Sequence, residues 1–343
     1  MAYTMDSHLL AVTILVIASG IILLGAETFT NALEHLGERL KISEGITGSI
    51  FAAVGTALPE SMVPVIAILG STGSEAVRHE VGIGAILGAP LLLSTLALFL
   101  MAVFAAQQRG WNGAFHPEPS GINRDLTWFL LAFTLGSGAL FIPIEWSTLR
   151  WGIAGMLVLM YCIYLILTIR ASKALVEEGH GTEADHPLFL SKIKLPTNLL
   201  TILFQLGLGL ALIIVGTKWF IHSIEHISTW LAISALTLSL IIIPFATELP
   251  EKVNSIIWIR RGRDTMAFGN ISGALVFQGS LLPALGIALT AWSPRPEMLL
   301  GIGITLLASI YLFIQIHRGT LRPYHMLFSG LCYVTYLILL LAT

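Results

Sequence analysis

Apolar residues run along this chain in blocks of about twenty, separated by short polar stretches, almost from end to end. Blocks near residues 8–33, 43–69, 80–105, 125–142, 149–170, 197–221, 231–259, 265–291, 297–316 and 324–342 each approach the ~20 residues that a helix needs to cross a ~30 Å hydrocarbon core. The pattern predicts an all-α integral membrane protein with ten transmembrane helices. Composition agrees: 55% of the 343 residues are hydrophobic and 11% charged, against roughly 25% charged in a soluble domain. The first block follows a start without Lys or Arg and continues into helix-compatible sequence, which argues against a cleaved secretory signal.

Charge then orients the spans. Assigning loops to alternate sides puts thirteen Lys and Arg, among them Arg109, Arg170, Lys192 and Arg261, on one side and only Arg78, Arg150, Lys218 and Arg295 on the other. The positive-inside rule makes the first side cytoplasmic, so both termini face outward in the cell membrane. With a net charge of −2 and no basic block, nucleic acid is excluded as a partner; membrane lipid is the expected surround, and nothing points to a protein partner. Cys162 and Cys332 both lie in apolar runs and read as small buried hydrophobes.

Sliding the chain by 191 residues aligns Gly25 to Glu60 with Gly216 to Glu251, with 12 of 36 positions identical. Beyond them an offset of 185 pairs Gly84 with Gly269 and Gly88-Ala89 with Gly273-Ala274, so the first copy holds six extra residues near 70–80. Each copy contains five spans, an odd number, and the copies must therefore cross the membrane in opposite senses. The expected organisation is a first five-helix repeat over 1–170, a cytoplasmic linker over 171–196 and a second, inverted repeat over 197–343.

The candidate chemistry sits inside the repeats. Span 2 carries Gly55-Thr56-Ala57-Leu58-Pro59-Glu60, and span 7 carries Ala246-Thr247-Glu248-Leu249-Pro250-Glu251. One proline in a membrane helix is commonly only a kink, but the same T-x-L-P-E at symmetry-related positions points to a built feature. Proline removes a donor and clashes with the carbonyl four residues earlier, so helices 2 and 7 are expected to break there. Carboxylates at this depth mark ion pathways; with freed carbonyls and threonine hydroxyls they form a hard-oxygen set suited to calcium or sodium. Glu248 and Lys252 stand i, i+4, in the favourable order for a salt bridge. Glu34, His35, Glu225 and His226 read as interfacial or capping groups, and His180, Glu183, Asp185 and His186 as a solvated loop. Gly84/Gly88 and Gly269/Gly273 are small-xxx-small pairs, expected to press spans 3 and 8 against helices 2 and 7.

These residues resemble the calcium/cation antiporter superfamily, its sodium/calcium exchanger branch in particular. Gly25-Ala26, Ile42-Ser43-Glu44 and residues 55–60 resemble the family's first conserved repeat; Ser234 to Glu251, followed by Phe268-Gly269-Asn270-Ile271-Ser272-Gly273, resembles the second. The resemblance implies cations held between spans 2, 3, 7 and 8, with spans 1 and 6 sliding during alternating access. Carried over residue by residue, the metal-binding glutamates fall on Glu60 and Glu251 and the supporting threonines on Thr56 and Thr247. Where the family usually has G-S-N-x-x-N or a final Asp, this chain has Gly88-Ala89-Pro90-Leu91-Leu92-Leu93 and Gly273-Ala274-Leu275-Val276-Phe277-Gln278, which leaves Gln278 as the side-chain acceptor. Glu248 replaces the motif serine in one copy and Ala57 in the other.

The expected function is secondary antiport of a divalent cation, calcium first, against sodium or protons, with no cofactor. The alternatives are a proton-coupled exchanger of another cation and a non-transporting membrane scaffold or sensor. An enzyme is disfavoured, since no H-E-x-x-H, paired-Asp or suitably placed G-x-S-x-G motif occurs. The charge distribution is testable: a cysteine introduced near residue 180 should resist impermeant thiol reagents applied to sealed cells, and labelling from outside would invert the topology.

Overall fold

The structure, a computed structural model, describes residues 2–39, 52–70, 72–176, 186–319 and 321–342. Helices account for the regular structure of the described residues, and no strand occurs among them. They are α1 (Ala2–Arg39), α2 (Ala52–Leu69), α3 (Glu75–Leu92), α4 (Leu98–Arg109), α5 (Pro119–Gly138), α6 (Ser147–Val176), α7 (Leu199–Leu231), α8 (Ala235–Arg260), α9 (Asp264–Leu289), α10 (Pro296–His317) and α11 (Leu327–Ala342). Among the described residues, seven helical stretches are long and apolar enough to cross a membrane, against the ten intervals read from the sequence. α6 shows the solvent these helices are built for: Trp151, Met156, Leu159, Ile163 and Ile166 are all exposed on it, an apolar surface suited to lipid rather than water. Cys162 is exposed on the same helix, whereas Cys332 is buried. The expectation of burial therefore fails for Cys162, because in lipid an apolar run does not need a protein core around it.

The chain forms two compact units, Met1–Gly82 with Cys162–Leu238 and Ile83–Tyr161 with Ser239–Thr343, so each unit is built from two separate segments of the sequence. In the first, α1 and α7 pack along their lengths through glycines. A Cβ at Gly25 would lie 2.9 Å from Ile213 N and 3.0 Å from Gly209 O, one at Gly209 would lie 2.7 Å from Phe29 N, and one at Gly216 would lie 3.1 Å from Ala18 O. Such backbone approach is how helices associate where lipid competes for every apolar side chain. A polar knot closes one end: buried Gln205 donates through Nε2 to Thr28 O at 3.1 Å and Asn31 Oδ1 at 2.8 Å, while its Oε1 accepts from Leu190 N at 2.9 Å. Asn31 Oδ1 also accepts from Phe189 N at 3.0 Å, which ties the short 3₁₀ turn Phe189–Ile193 to both helices.

In the second unit, α3 passes through a π-helical turn, Leu93–Ala97, into α4. Pro90 lies inside α3 just ahead of that turn. Thr95 Oγ1 and Ser94 Oγ donate back to Leu91 O. Leu91 and Leu92 pack there with Tyr333, Tyr336 and Leu340 of α11. At one end Arg109 grips Asp264 in a bidentate pair at 2.7 and 2.8 Å, with His116 N donating to the same carboxylate at 2.8 Å. Asp264 stands in the first turn of α9, where the helix dipole favours an anion. Glu118 caps α5, accepting from Ser120 N at 2.9 Å and Gly121 N at 3.0 Å; hydrogen bonding from Ser120 and then Gly121 holds its carboxyl below the usual range.

The expected breaks at Pro59 and Pro250 do not occur. The backbone is helical throughout Ala52–Leu69 and Ala235–Arg260. A proline forfeits only one ladder bond and membrane helices tolerate that loss when hydroxyls or local adjustments compensate; Thr247 Oγ1 donates to Ile243 O at 3.2 Å in this stretch.

The glycine seam is testable by thermal unfolding of the purified protein. Gly209→Leu should destabilise it by about 1–3 kcal/mol, whereas Gly20→Ala, in the partner helix α1 but with nothing within 4 Å of the added atom, should cause no loss.

Candidate cation-binding site

α8 begins at a well-satisfied N-terminus. Ser234 Oγ accepts from Thr237 N at 3.1 Å, and Glu80 Oε2 accepts from Leu236 N at 3.1 Å, so two of the first-turn amides have acceptors. Next, α3 lies almost backbone to backbone against α8. A Cβ on Gly84 would sit 2.6 Å from Ser239 Cβ, and one on Gly88 would sit 2.5 Å from Pro244 Cγ and 2.6 Å from Leu240 O. The small pair of span 3 thus presses on helix 7, as expected. Among the described residues, an atom added at Gly269 meets nothing within 4 Å, so tight packing is not seen for that member of the second pair.

Two turns further along α8, Glu248 is fully buried, as is Gln278 on α9. Gln278 Nε2 donates to Glu248 Oε1 at 3.0 Å. A carboxylate in the middle of apolar helices is costly without such a donor. Thr247, its neighbour, is also buried. A second bridge, Asn270 Nδ2 to Ser255 Oγ at 3.0 Å, joins the same two helices. The α9 side facing α5 carries a third: Ser272 Oγ donates to Asp125 Oδ2 at 2.7 Å.

Of the residues singled out by sequence, Glu248 and Gln278 are brought together, with Thr247 adjacent. The side chains of Thr56, Glu60, Glu251 and Lys252 lie outside the described residues, as does Glu34; so do residues 177–185, including His180, Glu183 and Asp185. One partner of Glu248 is Gln278, a pairing that i, i+4 spacing cannot reveal because the two stand 30 residues apart. Glu225 fills the capping role expected of it, accepting from Ser74 N at 3.2 Å beside the start of α3. The His186 carbonyl lies 3.1 Å from His35 Nε2. Asp125, buried at 5% exposure, was missed: beside Arg124 at a span's edge it reads as an interfacial charge, and only its contact with Ser272 marks it as internal. Among the described residues no group of three or more His, Cys, Asp or Glu gathers into a metal site.

The sodium/calcium exchanger protein family matches residues 10–170 and 201–343. The chain belongs to this family. Members of this family are cation antiporters of the membrane, and the chain is not an enzyme. The exchanger fold is seen in two solved structures to which the chain is similar. The H+/Ca2+ exchanger CAX is 16% identical with a TM-score of 0.71, covering 96% of this chain and 82% of that one. The sodium-calcium exchanger NCX_Mj is 17% identical with a TM-score of 0.58, covering 96% and 99%. Inner membrane protein YrbG of Escherichia coli is 25% identical over 280 residues, 81% of this chain and 80% of that protein.

Replacing Gln278 tests the polar bridge within the exchanger fold. Gln278→Leu, which removes the donor to a buried carboxylate, should cost about 1.5–3 kcal/mol in thermal unfolding; Glu248→Gln, which keeps an acceptor oxygen and neutralises the acid, should cost less.

Proposed function

We propose that this exchanger moves a divalent cation, calcium first, against sodium or protons by alternating access through ten transmembrane helices arranged as two inverted five-helix repeats. The repeats are residues 1–170 and 197–343, joined by a cytoplasmic linker over 171–196, with both termini outside the cell membrane. The reading is supported by helices lying under the apolar intervals and by the 191-residue offset that relates Thr56 to Thr247 and Glu60 to Glu251. Glu60 and Glu251 are the proposed charged ligands, and Thr56, Thr247, Gln278 and Glu248 complete the set. Each glutamate supplies one negative charge and two oxygens, the donor type that hard divalent cations take. The close glycine seam between α1 and α7 supports their moving as one element.

The observation that carries the reading is the buried Glu248–Gln278 pair, set at the second copy of the repeated motif in a helix otherwise suited to the bilayer. It also bears on the counter-ion. Gln278 is the one side-chain acceptor kept at the positions where the family places sodium ligands, and its amide is engaged with an acid. That arrangement favours protons over sodium, because a buried carboxylate binds a proton with less desolvation cost than a second metal ion.

Radioactive calcium uptake into proteoliposomes tests the whole reading. Imposed gradients should drive it, with an outward proton gradient more effective than an outward sodium gradient. Glu60→Gln and Glu251→Gln should each reduce uptake to the level of empty liposomes. Flux unchanged in both variants would overturn the glutamate site, uptake no greater than in empty liposomes for the unaltered protein would leave the scaffold reading, and sodium-driven uptake indifferent to pH would reverse the choice of counter-ion.

A further inference from the structure

Where α1 starts and α7 ends, three aromatic rings meet. The His8 ring stacks on Trp230 with centroids 4.4 Å apart and planes 10° from parallel, and it lies 5.4 Å from the His226 ring at 38°. His226 and Trp230 are one turn apart on α7, so His8 of α1 spans a single face of that helix. The ring nitrogens His8 Nδ1 and His226 Nε2 are both shielded from solvent and, among the described residues, take no hydrogen bond. Buried imidazole nitrogens normally find partners, and two neighbouring imidazoles whose nitrogens lack them suit a shared electrophile.

We infer that His8 and His226 form a transition-metal site that joins the start of α1 to the end of α7. With metal–nitrogen bonds of about 2.0–2.1 Å and ring centres about 1 Å further back, two imidazoles on one tetrahedral ion have centroids roughly 5 Å apart. The observed 5.4 Å requires only a small adjustment. Stacking on Trp230 restrains the His8 ring, the role that outer-shell contacts play at metal sites. Since no third His, Cys, Asp or Glu joins the pair among the described residues, water completes the coordination. Imidazole donors select borderline ions such as zinc, in contrast to the hard-oxygen ligands proposed for the transported cation. The site is independent of the transport reading and would hold in a non-transporting protein.

Zinc chloride titrated into the purified protein in detergent tests this, read by Tm and by tryptophan emission. Saturating zinc should raise Tm by about 2 °C or more. The rise should vanish in His8→Ala and His226→Ala and persist in His317→Ala. Zinc should also change the emission, and that change should be lost in Trp230→Phe while the Tm rise remains. His8→Gln replaces the alanine variant if the latter lowers the zinc-free Tm. No zinc-induced rise in the unaltered protein, or a rise of equal size without either histidine, overturns the assignment.

Discussion

A polar group inside the bilayer has no water to turn to, and the described structure is organised by that constraint. Three of its most buried acids and amides are answered by another helix: Glu248 by Gln278, Asp125 by Ser272, Gln205 by Asn31 and Thr28. Each of these pairs joins different helices. In water the same side chains would contribute little to association, but in a medium of low polarity an unanswered partner is costly enough to hold helices in register. The α8–α9–α5 ladder of bridges therefore acts both as a frame and as the place where acidic chemistry can be stored at depth.

Apolar packing plays a different part here than in a soluble core. Leucine gains nothing by leaving lipid for another leucine, so attraction must come from close backbone approach. Glycines provide it at two helix seams, Gly25, Gly209 and Gly216 between α1 and α7, and Gly84 and Gly88 between α3 and α8. The second contact also shapes the candidate site, because it draws the helix bearing Gly88 up to Pro244, one turn before Thr247 and Glu248.

The two stretches of sequence related by the 191- and 185-residue offsets differ in chemistry at two positions that bear on the site. Ala57 in one corresponds to Glu248 in the other, and Leu93 corresponds to Gln278. The extra acid and the retained amide both belong to the second copy, and they are the two groups that meet. The carboxylate thus has a donor from a neighbouring helix, which is how an apolar helix holds it at full burial.

The helical class, the membrane setting and the repeated T-x-L-P-E motif were legible from sequence alone, because each is a matter of local composition, spacing or self-similarity. The exchanger resemblance rested on the same residues, and the family match agrees with it. Only tertiary structure decided which groups answer one another. No spacing rule pairs Glu248 with Gln278, which stand 30 residues apart, or Asp125 with Ser272, 147 residues away. Tertiary structure also decided that the backbone carrying Pro59 and Pro250 stays helical. A proline always removes the same donor, but the effect on the helix depends on the carbonyls, hydroxyls and neighbouring helices around it, and those are placed by residues far away in the chain.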